Sequence, residues 1–152
     1  SQRYVDEDGF NYITPPSIKK NQMAEAIYVE AVEYANSVYY DLKNLGIPSE
    51  DARFILPNAC ETKVNTVFSL QAMIHFMHER LCNRAQWEIR NVALLMKDEI
   101  EKYVPEILEY MVPKCQFYGY CTEGKKCCGR MPTKSNVLEG YKRYLEMIKE
   151  EK

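Results

Sequence analysis

The sequence predicts an α+β fold that is mostly helical, gathered in one domain. Three observations predict it. Apolar residues recur at steps of three and four over most of the 152 residues, the spacing of amphipathic helices. One stretch, 62–68, is instead rich in β-branched residues and has the length of a strand. Hydrophobic residues make up 46% and charged residues 28%, which excludes a disordered chain and suits a single packed core.

Residues 1–16 hold Gly9, Pro15, Pro16 and scattered aromatics, which predicts extended structure and turns. Ser17 is the expected N-cap of a long helix ending near Leu45, with Ile27, Ala31, Tyr34, Val38, Leu42 and Leu45 facing inward. Gly46 and Pro48 stop it, because glycine accepts the left-handed C′ conformation and proline cannot continue a helix. Ser49 opens a short helix whose positive end receives Glu50 and Asp51. After the strand, Ser69 starts a helix through Leu81 with Ala72, Met73, Phe76 and Met77 on its apolar side. Asn83 is the expected cap of a second helix, with the stripe Ile89, Val92, Met96, Ile100 and Tyr103. Pro105 suits the first turn of a short helix that Pro113 closes. Residues 113–132 read as a cysteine-rich loop with three glycines and a basic tail. Residues 133–152 form a last helix, capped by Ser135, with Leu138, Tyr141, Leu145 and Ile148 facing in. There is no internal repeat.

The net charge of −2 argues against a nucleic-acid or membrane-surface binder, so phosphate chemistry must rest on a few placed arginines. The longest weakly polar run, 68–77, is too short to span a bilayer. Six cysteines in a helix-rich chain point to a reducing, cytoplasmic setting rather than a disulfide scaffold. Cys115, Cys121, Cys127 and Cys128 cluster, yet the five-residue gaps on either side of Cys121 do not fit paired-cysteine zinc spacing. They are a weak metal candidate, and a reactive or partly oxidised loop is the default.

Three arginines have suggestive neighbours. Arg80 ends a helix beside Glu79 and Arg84, Arg53 lies on a short helix before the strand, and Arg3 follows Ser1 and Gln2. A guanidinium suits both phosphate and a planar imide, since it offers a rigid fork of donors. Taken singly, each is most simply a surface arginine. His75 and His78, three apart on one helix, read first as satisfied helix histidines rather than metal ligands, and Trp87 with Glu88 reads first as a core anchor beside an ion pair.

The run 52–57, Ala-Arg-Phe-Ile-Leu-Pro, and the run 76–90, which contains His-Glu-Arg-Leu-Cys-Asn-Arg-Ala-Gln-Trp-Glu-Ile-Arg, change the weighting. Together they resemble flavin-dependent thymidylate synthases (the ThyX family). Ser1-Gln2-Arg3-Tyr4 resembles the tail of that family's signature RHRxxSxNxxSxRY. The resemblance covers residues 1–112, as the C-terminal part of a ThyX catalytic domain. It implies the ThyX fold, with the family's N-terminal strands and helix expected to precede Ser1.

Family members methylate dUMP to dTMP, with methylenetetrahydrofolate as carbon donor and NADPH-reduced FAD as hydride source. The resemblance implies that Arg80 lies against the pyrimidine as the catalytic cation. It further implies that Arg53, with Ser1, Gln2 and Arg3, holds dUMP, the last three commonly from a neighbouring subunit of a homotetramer. On the flavin side the matching positions are Ser69, Leu70, Gln71 and His75. Two departures stand out. Ser69 and Gln71 replace the family's usual asparagine and arginine, and the RHR residues are absent. The chain alone is therefore expected to turn over little. Its strand 62–68, lacking partners, is expected to recover burial by self-association. The other reading is a degenerate homologue that binds dUMP without catalysis.

Overall fold

A computed structural model describes residues 11–150, the side chains at 148 and 150 excepted. Ser1, Gln2 and Arg3 lie outside the described residues, as does the inward placement expected of Ile148. The chain forms seven α-helices among the described residues: α1 Pro16–Lys19, α2 Gln22–Asn44, α3 Ser49–Ala52, α4 Leu70–Arg80, α5 Trp87–Glu101, α6 Lys114–Tyr118 and α7 Lys134–Glu150. Where the sequence suggests one domain, two compact units form, divided between Thr66 and Val67.

In the first unit α2 starts later than expected. Ser17 lies inside α1, and the side chain of Asn21 caps α2 by accepting from the N–H groups of Met23 and Ala24. At the other end the C′ glycine holds as expected. Gly46 has φ 82°, its N–H reaches the Lys43 carbonyl, and the Ile47 N–H reaches that of Leu42. This pair of bonds satisfies two orphan carbonyls of the helix.

The buried face of α2 is not the predicted one. Val32 and Tyr39 are buried, whereas Ile27, Ala31, Tyr34 and Leu45 are exposed. The helix is apolar on two flanks, so periodicity alone could not choose between them. Ala52 of α3 is the third buried residue of this unit.

The strand expected at 62–68 does not form. Extended propensity yields a strand only when a partner accepts its backbone groups, and none does so among the described residues. Val64 and Val67 are exposed as a result. The described residues carry two isolated bridges, Tyr12 with Cys60 and Cys121 with Thr133. Around the first, Ile13 N–H bonds the Ala59 carbonyl and Glu61 N–H that of Asn11. The described architecture is thus mostly helical, without the strand that motivated an α+β reading.

The second unit is built on the methionines of α4 and α5, with Leu81 just past the end of α4. Met77, Leu81, Ala93 and Met111 are buried together, with Met73, Phe76, Met96 and Ile100 packed around them. Ser69 caps α4 as expected, its Oγ accepting from the Ala72 N–H at 3.2 Å. For α5 the cap is Gln86, not Asn83: its Oε1 accepts from Glu88 and Ile89 N–H groups. Ala93 takes the buried position, while Val92 and Tyr103 are exposed, so the stripe is rotated from the expected one.

The expected cysteine loop contains α6, started by the buried Pro113. Thr133 rather than Ser135 caps α7, its Oγ1 accepting from the Asn136 N–H and donating to the Asn136 side chain. Leu138 and Tyr141, expected to face in, are exposed. Nothing among the described residues is packed on that face closely enough to cover them.

Candidate functional site

The end of α4 meets the turn 82–86, α6 and the loop 121–130 around a cavity of about 180 Å³. Arg80 occupies the last position of α4, where the free carbonyls of the helix favour a cation. Its wall brings together four positive side chains, those of Arg80, Arg84, Lys114 and Arg130. Three of them are engaged. Lys114 Nζ donates to Glu79 Oε1 at 2.9 Å, Arg84 Nε to the Lys126 carbonyl at 2.7 Å, and Arg130 Nη2 to Asn83 Oδ1 at 2.9 Å. Among the described residues Arg80 alone of the four has neither a hydrogen bond nor an ion pair, and its side chain is exposed.

The pair beside it sets the local field. The hydrogen bond from Lys114 holds the Glu79 carboxyl below the usual carboxylate range, against burial, which pushes it up. The same bond raises Lys114. Glu79 is thus an anion bonded to Lys114 and also felt by the charge of Arg80, whose hydrogen-bond donors stay open to an outside acceptor. His78, on the same turn, has Nε2 at 3.1 Å from the Tyr110 carbonyl, so that nitrogen carries the proton and donates. His78 therefore serves to pin the loop after α5, and its ring lies tilted against Phe117, with centroids 4.6 Å apart.

Arg53 belongs to the other unit. Its Nε donates to the Ser49 carbonyl at 3.0 Å, which folds the guanidinium back over α3. It lines a cavity of about 170 Å³ with Leu56, Pro57, Asn58 and Cys60. The turn through Pro57 builds that cavity, since Leu56 leaves the helical region for extended backbone.

Ser69, Leu70, Gln71 and His75 fall on the first turns of α4 and are exposed. Gln71 and His75 are one turn apart, so they share a flank. The Ser69 hydroxyl accepts from the helix and keeps its proton to donate.

Among the described residues no three His, Cys, Asp or Glu side chains converge as a metal ion requires. Cys121 is buried and pairs with Thr133 in the second bridge, the Cys127 thiol donates to the Met131 carbonyl at 3.4 Å, and Cys128 is exposed. Sequence reasoning missed that Cys82 joins Cys115, Cys121 and Cys128 at the cavity, and that Lys114 and Arg130 stand beside Arg80. No local pattern signals this, because the partners are more than thirty residues apart.

A family model described as thymidylate synthase complementing protein matches residues 1–106. The chain is similar to a flavin-dependent thymidylate synthase of Nitratidesulfovibrio vulgaris, at 40% identity over 146 residues. That match covers 90% of this chain and 60% of the relative. The corresponding protein of Clostridium tetani is 38% identical, covering 86% of this chain and 58% of the relative. That of Geobacter sulfurreducens is 39% identical, covering 86% and 56%. The chain thus spans somewhat under two thirds of the length of these curated relatives.

Proposed function

The chain belongs to the thymidylate synthase complementing protein family, and from that premise we propose that it supplies the uracil-activating part of a flavin-dependent thymidylate synthase. The reaction is the methylation of dUMP to dTMP, with methylenetetrahydrofolate as carbon donor and NADPH as the source of reducing equivalents. FAD, when bound, supplies the hydride. Every other task below falls to the chain's own side chains.

The observation that carries this reading is the guanidinium of Arg80, without a hydrogen bond or ion pair among the described residues, beside a cavity whose other cations are engaged. Placed against a uracil, it stabilises the anion formed when N3 loses its proton. Negative charge at N3 and O2 then feeds density to C5, which becomes the nucleophile without a cysteine adduct. Arg53 holds dUMP by the same fork of donors, and Ser1, Gln2 and Arg3 complete the phosphate contacts from a neighbouring subunit of a tetramer. Cysteine usage supports a cytoplasmic setting, and no described helix is long and apolar enough to cross a membrane.

The flavin positions fit that role in their donor chemistry. Ser69, Gln71 and His75 are polar and exposed, and the first N–H groups of α4 add further donors. Ser69 and Gln71 carry no charge, and this favours a second reading: a degenerate module that binds dUMP without flavin.

Calorimetric titration with dUMP tests the assignment of Arg80. Arg80→Ala is expected to weaken binding by about tenfold or more, the value of a hydrogen bond to a charged group. Arg80→Lys is expected to recover only part, since the planar fork is lost. Unchanged affinity in Arg80→Ala would remove the proposal. Flavin absorbance in the purified protein separates the two readings: dUMP binding with flavin supports the synthase, dUMP binding alone the module.

A further inference from the structure

The cations that share the cavity with Arg80 are held in different ways. Lys114 is bonded to a carboxylate, Glu79, which offsets its charge. Arg130 is bonded to an amide: its Nη2 donates to Asn83 Oδ1 at 2.9 Å. An amide oxygen fixes a guanidinium without neutralising it. Among the described residues that bond takes a single N–H of the Arg130 side chain, so its charge and the rest of its fork stay open to an outside acceptor.

The turn after α4 also holds the loop that carries Arg130. Arg84 Nε donates to the Lys126 carbonyl at 2.7 Å, and Asn83 Nδ2 donates to Cys128 Sγ at 3.7 Å. Gly129, with φ 84°, makes the left-handed step between Cys128 and Arg130, which glycine adopts without steric cost. The Asn83 side chain thus grips both ends of that step, three positions after Arg80 in the chain. Against the four cations the cavity wall carries two carboxylates, Glu79 and Glu123, which leaves an excess of two positive charges. That excess matches a phosphate monoester dianion better than a single carboxylate.

We propose that Arg130 is a phosphate-binding residue of this cavity and that Asn83 is the residue that positions it. The proposal rests on the reading of the cavity as the site of dUMP and deepens it: Arg80 faces the base, and Arg130 takes the phosphate through its remaining N–H donors. Arg130 lies beyond residues 1–106, so the contact is not one that the family model covers.

Calorimetric titration of the whole chain with dUMP and with deoxyuridine, which lacks the phosphate, tests it. Arg130→Ala should weaken dUMP about tenfold, the scale of a hydrogen bond to a charged group, and leave deoxyuridine unchanged. Asn83→Asp supplies a readout that a merely structural role would not move. Its carboxylate keeps the bond to Arg130 but neutralises it, so dUMP should weaken severalfold while the melting temperature holds. Asn83→Ala should cost less than Arg130→Ala and add nothing in the Arg130→Ala background. In the unaltered protein, where no variant has to fold, inorganic phosphate should compete with dUMP and not with deoxyuridine. Unchanged dUMP affinity in Arg130→Ala would overturn the proposal. So would an equal loss for deoxyuridine, or wild-type dUMP binding in Asn83→Asp. The two assignments fail separately: a loss in Arg130→Ala but none in Arg80→Ala removes the base contact, and the reverse removes the phosphate contact.

Discussion

At the scale of single residues, the pair formed by Glu79 and Lys114 decides how Arg80 is presented. Both side chains are 37% exposed, so solvent screens the pair and its worth is at most about 1 kcal/mol. The sign of its pH dependence follows from the two shifts. Glu79 has its folded pKa lowered, so its contribution is present above the unfolded carboxyl value and is lost as pH falls through the folded one. Lys114 has its folded pKa raised, so its share is present below the unfolded lysine value and is lost as pH rises through the folded one. Glu79→Gln should therefore lower stability in urea titrations at neutral pH by up to about 1 kcal/mol. In acid, once the wild-type carboxyl is protonated, the difference should vanish. A deficit that persists there would mean that the carboxylate is not its source.

At the scale of elements, caps and stops govern where each helix begins and ends. Gly46 is the clearest stop: its φ of 82° is left-handed, and a Cβ built there meets nothing within 4 Å. Crowding is thus absent, and the cost of a side chain is the backbone conformation alone. Gly46→Ala should destabilise the protein by about 1 kcal/mol, and Gly46→Asn by less, because asparagine tolerates that region. Thermal or urea denaturation of the two variants reads the ordering directly. An alanine variant as stable as wild type would mean that the α2 terminus does not need this turn. The same element shows the limit of periodicity, for α2 carries an apolar stripe on each flank and buries only the one containing Val32 and Tyr39.

At the scale of the molecule, much apolar surface is left open. Met23, Ile27 and Tyr34 on α2 are 76%, 64% and 71% exposed, and Tyr141, Tyr144 and Met147 on α7 are similarly bare. Contiguous apolar surface of this kind drives association. Light scattering during size-exclusion chromatography should give a mass that is a multiple of one chain, and Ile27→Glu should lower it. A monodisperse monomer of the unaltered protein would contradict this.

The amino-acid sequence by itself determined the helical character, the stop at Gly46, the cap at Ser69 and the family, through the runs at 52–57 and 76–90. These depend on the φ of one residue, on one side chain reaching an N–H two or three positions on, or on the order of residue types along the chain. Tertiary structure alone decided the buried face of α2 and the meeting of Arg80 with Lys114, Arg130 and three distant cysteines. Each of those is a contact between segments far apart in the chain. Burial and strand pairing take their free energy from the partner, and local sequence does not say which partner arrives.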